Sequence, residues 1–135
     1  MWVLDSNTIS YYFRGDPRVV PRLLSLSPAE IAVPSVVVYE LRYGLLRLPP
    51  EAGQRRLQAL EQLLEPLEIL PFDDVSAQFA ASMRAELERH GNPIGPHDLL
   101  IAATVLRHGA TLITRNVREF SRVSGLRIVN WHEKD

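Results

Sequence analysis

The chain predicts an α/β domain on a mainly parallel sheet, and three observations predict it. Short β-rich runs alternate with longer stretches of helical periodicity, the pattern of βαβ units. The 135 residues are enough for one hydrophobic core and too few for two, so a single domain over residues 1–135 carries everything. Several polar residues fall at or just beyond the predicted C-terminal ends of strands, the edge where open α/β sheets bind ligands.

Residues 2–5 read as the first strand, and Asp5 or Ser6 can cap a helix carrying Ile9, Tyr12 and Phe13. Gly15-Asp16-Pro17 breaks that helix before a second helical piece that runs through Leu26. Residues 31–34 read as the second strand, and Ser35 suits the N-cap of a helix through about Leu48. Pro49-Pro50 stops it. The next helix, residues 51–65, sets Leu57, Leu60, Leu63 and Leu64 along one face until Pro66. Residues 67–70 are a strand candidate, followed by Asp73 or Asp74 as the cap of a helix through about His90. Gly91, Pro93 and Gly95 mark a loop, and Pro96 suits the first position of a helix to His108. Residues 111–114 read as the fourth strand, 116–122 as a short helix and 126–130 as the last strand.

Composition excludes several classes. Hydrophobic residues make up 46% and charged residues 23%, the balance of a soluble globular chain. No apolar run approaches the roughly 18 residues of a membrane span, and the N-terminus lacks a basic region followed by an apolar one, so the cytoplasm is the expected location and no membrane partner is expected. Without cysteine there are no disulfides or thiolate metal sites, and any metal is held by oxygen or imidazole. The four histidines show neither i, i+4 pairing nor a Glu-flanked zinc motif, which leaves hard, oxygen-bound cations. A net charge of −1 gives no general affinity for nucleic acid. Lys134 is the only lysine, however, and Arg14, Arg42, Arg47, Arg115 and Arg118 lie near the polar edge in sequence. Arginine offers planar, bidentate donors to phosphate, so a local RNA-binding rim is compatible with that charge. A solvated surface with salt bridges is the plain alternative for any one of them.

The candidate chemistry rests on Asp5, Glu40, Asp98 and Asn116. Asp5 ends the first strand, Glu40 lies in the second turn after Ser35, Asp98 in the first turn after Pro96, and Asn116 follows the fourth strand. Each also has a structural explanation. Asp5 can accept the Asn7 or Thr8 amide hydrogen, Asn116 can cap its helix with Glu119 in the capping-box position, and Asp98 can offset the helix dipole. Glu40 is harder to explain away, because it sits among Val36, Val37, Val38, Tyr39 and Leu41, where partial burial is costly without a partner. If three carboxylates converge, two charges ~4 Å apart repel by about 4 kcal/mol at an effective dielectric of 20, so the trio takes up protons or recruits a cation. Mg²⁺ suits such a set because it keeps several waters and needs only a few carboxylates. Its natural use is phosphodiester hydrolysis.

Four blocks then match a known family in order: Leu4-Asp5-Ser6-Asn7-Thr8; Ser35 to Glu40-Leu41-Arg42-Tyr43-Gly44; Pro93 to Asp98 with Ile101-Ala102-Ala103; and Leu112 to Asn116 with Glu119-Phe120. Together with Gly125-Leu126-Arg127 and Trp131, they resemble the VapC-type toxins, which are PIN-domain ribonucleases. The resemblance implies a PIN-like α/β/α sandwich and endoribonuclease activity with Mg²⁺ or Mn²⁺. It also implies a homodimer and a cognate antitoxin. It assigns Asp5, Glu40 and Asp98 as metal ligands and places Asn116 where many relatives carry a fourth acid, a departure that bears on a second metal. Asn7, Thr114 and Ser6 look like residues that orient ligands or water; Arg14, Arg42 and Arg115 are candidate RNA contacts. The Pro93 to Asp98 segment and Arg118-Glu119-Phe120 look most like the enteric type that cleaves initiator tRNA in its anticodon loop. Tyr11, Tyr12, Tyr39 and Tyr43 are candidates for base stacking, with core packing the expected fate of at least half.

Two alternatives come from other classes. A receiver or haloacid-dehalogenase type domain also ends its first strand on an aspartate, but here Asn7 stands where a second acid is wanted and Lys134 alone is available to a phosphate. A non-catalytic interaction module is the other, with the leucine-rich 51–65 helix and the Tyr11 to Phe13 segment as partner surfaces.

Overall fold

The computed structural model describes residues 1–133, and Lys134 lies outside the described residues. Five strands, β1 (Trp2–Leu4), β2 (Ile31–Pro34), β3 (Glu68–Leu70), β4 (Thr111–Ile113) and β5 (Arg127–Val129), form one sheet in the order β3-β2-β1-β4-β5. All four pairings are parallel. Seven helices flank it: α1 (Ser6–Phe13), α2 (Val20–Leu24), α3 (Ser35–Leu46), α4 (Pro50–Leu64), α5 (Asp74–Arg89), α6 (Pro96–Arg107) and α7 (Val117–Phe120).

The order places β1 at the centre with β2 on one side and β4 on the other. The chain moves outward from β1 through β2 to β3, then returns to β1's other edge, so the topological switch lies between β1 and β4. Both faces of the central strands are covered. Val3, Leu4, Ala32, Val33, Leu112 and Ile113 are all buried, which explains why these runs are apolar without alternation. Helix α6 is the most enclosed helix, with Leu99 and Ile101 to Val105 buried, and it packs chiefly on α5. Phe120 and Trp131 bury their rings in the same core.

Boundaries differ from the sequence expectation by at most two residues, with two physical corrections. Ser35 is not an N-cap: α3 begins at Ser35 itself, directly after the strand residue Pro34, and has no side-chain cap. Asn116 makes no capping hydrogen bond either. Its own backbone N–H donates to Thr114 Oγ1 at 3.0 Å, and its side-chain amide donates to Glu119 Oε2 at 2.8 Å. A short 3-10 turn at Pro28–Glu30, which a proline and a reciprocal Ser27/Glu30 capping box start, was not foreseen. Between α3 and α4 the backbones approach closely at Gly53, where a methyl would sit 2.8 Å from the Leu45 carbonyl oxygen.

Candidate active site

Asp5 follows β1 and is both cap and candidate ligand. Its Oδ1 accepts the Thr8 N–H at 2.8 Å, and the buried Thr114 hydroxyl, at the end of β4, also bonds the carboxylate. Only 5% of Asp5 is exposed. Burial is the largest influence on it and pushes its carboxyl above the ordinary range, against the opposing pull of Thr114 and Thr8; the Glu40 charge raises it further. Thr8 is fixed in turn by donating its hydroxyl to the Ile113 carbonyl at 3.2 Å. The switch point is thus tied together by side chains from β1, α1 and β4.

Helix α3 brings Glu40 to the same edge. Ser6 Oγ donates to Glu40 Oε1 at 2.8 Å, and His97 Nδ1 lies 3.1 Å from Glu40 Oε2. The Glu40 side chain retains 26% exposure, so its apolar neighbours bury it only in part. His97, which the sequence reading set aside as a zinc ligand, is here a contact of Glu40 from the first turn of α6. It also packs edge-on against Tyr39 at 5.7 Å.

Asp98, half-buried in the first turn of α6, faces other acids. Its carboxyl is pushed up to about 7, first by desolvation, then by Glu119 through charge and a shared hydrogen bond, then by Glu40 and Asp5. Glu119 moves the opposite way because it accepts the Gly95 N–H and the Asn116 amide. Of the two acids, Asp98 is therefore the one pushed toward keeping its proton and Glu119 the one pushed toward ionising. Both carboxylates crowd Gly95: a methyl there would lie 3.4 Å from Glu119 Oε1 and 3.7 Å from Asp98 Oδ2.

Glu119 is the residue that sequence reasoning missed. Its spacing suggests only a capping-box partner for Asn116, yet its charge, not the Asn116 amide, acts on Asp98. The available signal was its place in the first turn after β4, the same edge that carries Asp5. Asn116 holds Glu119 rather than supplying a charge. Ser6 and Thr114 contact Glu40 and Asp5 respectively, whereas Asn7 is exposed. The candidate RNA-binding arginines separate: Arg42 is tied to Glu61 at 3.4 Å, while Arg14 and Arg115 are exposed beside Tyr11.

Among the described residues, no three histidine or carboxylate side chains close into a ready metal cage. The chemistry of the donor set nonetheless fits a hydrated hard cation. The acids lie within electrostatic reach of one another, and no cationic side chain figures among the influences on Asp98. A Mg²⁺-type ion that keeps most of its waters meets that imbalance with few protein ligands.

Fold and site define a class, a parallel α/β domain with an acidic cleft at its switch point. The PIN domain pattern matches residues 2–126, and the chain belongs to the PIN domain family. It is 34% identical over 131 residues to the tRNA(fMet)-specific endonuclease VapC of Salmonella typhimurium, covering 96% of this chain and 97% of that one. It is 35% identical over 139 residues to toxin FitB of Neisseria gonorrhoeae, covering 98% and 100%. Among solved structures, FitAcB from Neisseria gonorrhoeae superposes with a TM-score of 0.90 at 34% identity, over 98% of this chain and 100% of that one.

Proposed function

We propose that this chain is a divalent-cation-dependent endoribonuclease and the toxin of a type II toxin-antitoxin pair. It acts in the cytoplasm as a homodimer and is restrained by a cognate antitoxin. The observation that carries the reading is the gathering of Asp5, Glu40 and Asp98, with Glu119, at one sheet edge, with no cationic side chain among the influences on Asp5 or Asp98 and only Arg122 bearing on Glu119. The relatives named as ribonucleases and the solved toxin-antitoxin complexes support it. RNA loops, whose bent backbone and unstacked bases an open acidic edge can reach, are the substrate class, with the tRNA anticodon loop first among them.

Asp5, Glu40 and Asp98 would hold Mg²⁺ or Mn²⁺. When bound, the ion supplies charge stabilisation at the phosphoryl oxygens and lowers the pKa of attacking water. The chain's own residues do the positioning. Thr8 and Thr114 fix the Asp5 carboxylate; Ser6 and His97 hold the two Glu40 oxygens; Asn116 and the Gly95 N–H hold Glu119 against Asp98.

Mapping RNA 5′ ends after brief expression tests the reading, with Asp98→Ala as control. New ends at one tRNA position in the wild type and their absence in the variant are expected. No new ends in either would refute it.

A further inference from the structure

Outside the acidic edge, Arg14 and Arg115 share the one ring of Tyr11, whereas Arg47 stands over Tyr43 without a second arginine. Arg115, one residue past Thr114, donates from Nη1 to the Tyr11 hydroxyl at 3.3 Å, and its guanidinium lies 5.7 Å from the ring centroid. Arg14, three residues along the chain from Tyr11, places its guanidinium 5.9 Å from the same centroid. We propose that Tyr11, Arg14 and Arg115 form a clamp for the phosphate backbone of the RNA strand beside the carboxylate site, an inference that rests on the ribonuclease reading.

Three observations carry it. The first is charge. Arg42, Arg84, Arg89 and Arg107 each pair with a carboxylate. Among the described residues, Arg14 and Arg115 have no carboxylate partner, although two like charges share one ring. Cation–π attraction accounts for each guanidinium singly but leaves both net charges uncompensated. An external anion that offers two acceptor oxygens to a planar guanidinium fits them, and a phosphodiester is such an anion.

The second is preorganisation. The Tyr11 ring is braced edge-on by His132 at 4.8 Å, and His132 is held by Asp16 Oδ2 at 3.1 Å. Arg18 also reaches the His132 carbonyl oxygen, at 3.4 Å. A braced ring fixes where both guanidiniums sit before any strand arrives, which lowers the ordering cost of binding.

The third is continuity with the site. Arg14 lines a groove of about 630 Å³ whose walls include Ser6 and Glu40. Arg115 adjoins Thr114, which bonds Asp5. The two cations therefore stand together beside the acidic edge, Arg14 on the groove and Arg115 just past β4. A strand whose backbone they grip passes that edge.

The test is the salt dependence of binding. A fluorescein-labelled single-stranded oligoribonucleotide of about ten nucleotides is titrated against Asp5→Asn protein, which leaves the probe uncut, over a series of salt concentrations. Each phosphate neutralised on a single strand contributes about 0.7 to the slope of log K against log salt. Adding Arg14→Gln and Arg115→Gln together is expected to reduce the slope by about 1.4 and to weaken low-salt binding at least roughly 10-fold. Each single change gives about half the slope effect. Both side chains are exposed, and circular dichroism checks that the fold is kept. Unchanged slope and affinity in the double variant, with RNA still bound, would overturn the clamp. So would loss of binding to a polyglutamate peptide with RNA binding intact, which would make the patch an acidic-peptide site. An Asp5-intact chain that leaves RNA uncut with Mg²⁺ and Mn²⁺ removes the ribonuclease reading instead, a result the binding slope does not produce.

Discussion

Asp5 and Asp98 sit on the same acidic edge, and the chain treats them in opposite ways. Asp5 is almost fully enclosed, and its hydrogen-bond partners are donors, the Thr8 amide and the Thr114 hydroxyl, with the Glu40 charge the least of the influences on it. Asp98 is half-buried, and its neighbours are acids, Glu119 foremost. The Asp5 bank is a finished piece of structure, a helix cap that doubles as a functional group. The Asp98 bank carries negative charge that the protein offsets only through Arg122, which acts on Glu119 and not on Asp98. Asp5 therefore fixes the position of the site, while Asp98 and Glu119 provide its demand for a cation.

The largest effect should come from removing the Asp5 charge while keeping its shape. In Asp5→Asn, the amide oxygen can still accept the Thr8 N–H, and a buried charge is lost, so the thermal midpoint should hold or rise. RNA cleavage should fall by about 10³-fold or more, the several kcal/mol that cation-assisted phosphoryl chemistry contributes. Cleavage assays with purified wild type and variant check it. Comparable rates would erase the distinction between the banks.

An intermediate effect should follow from attacking the scaffold of the Asp5 bank. The Thr114 hydroxyl bonds Asp5 and accepts the Asn116 N–H at 3.0 Å, with Thr114 only 1% exposed. Thr114→Val keeps the volume, leaves the Asn116 N–H without its acceptor and leaves Asp5 with Thr8 alone. A loss of about 1–3 kcal/mol is expected, because buried polar groups without partners retain their desolvation cost. Urea unfolding measures it, and an unchanged midpoint would mean that Asp5 is not held as described.

The sequence revealed these banks unequally. Asp5, Glu40 and Asp98 could be found because strand ends and helix starts are written locally, in Leu4-Asp5-Ser6, in the Ser35 to Glu40 segment and in Pro96-His97-Asp98. Glu119 and His97 could not be placed, since their partners Asp98 and Glu40 lie on other elements and meet them only through packing of α7 and α3 around α6. The strand order was hidden for the same reason: parallel pairing joins Trp2 to both Ile31 and Thr111, and no local signal records it. Caps were misread where a serine or asparagine stood at a boundary but bonded elsewhere or not at all. Of the four tyrosines, Tyr11 and Tyr12 pack on the core while Tyr39 and Tyr43 stay exposed, a division that helical spacing alone does not decide.

The smallest effect is the most discriminating, because its sign differs from that of an ordinary mutation. Asp98 in the folded chain holds its proton to about pH 7, well above its unfolded value of 3.8. Between those values the native state binds more protons than the unfolded state. Stability without divalent ions therefore falls as pH rises through that window and stays reduced above it. At 1.36 kcal/mol per pKa unit the full shift would be about 4 kcal/mol, and solvent screening of a half-exposed group brings it to about 1–2. Asp98→Asn should remove that pH-dependent loss. In chelator at pH 8 the variant should melt a few degrees above wild type, at pH 5 the two should nearly coincide, and added Mg²⁺ should raise the wild type more than the variant. A variant less stable than wild type at pH 8 in chelator would show that the Asp98 charge is already compensated within the chain, and that its bank differs from that of Asp5 in exposure alone.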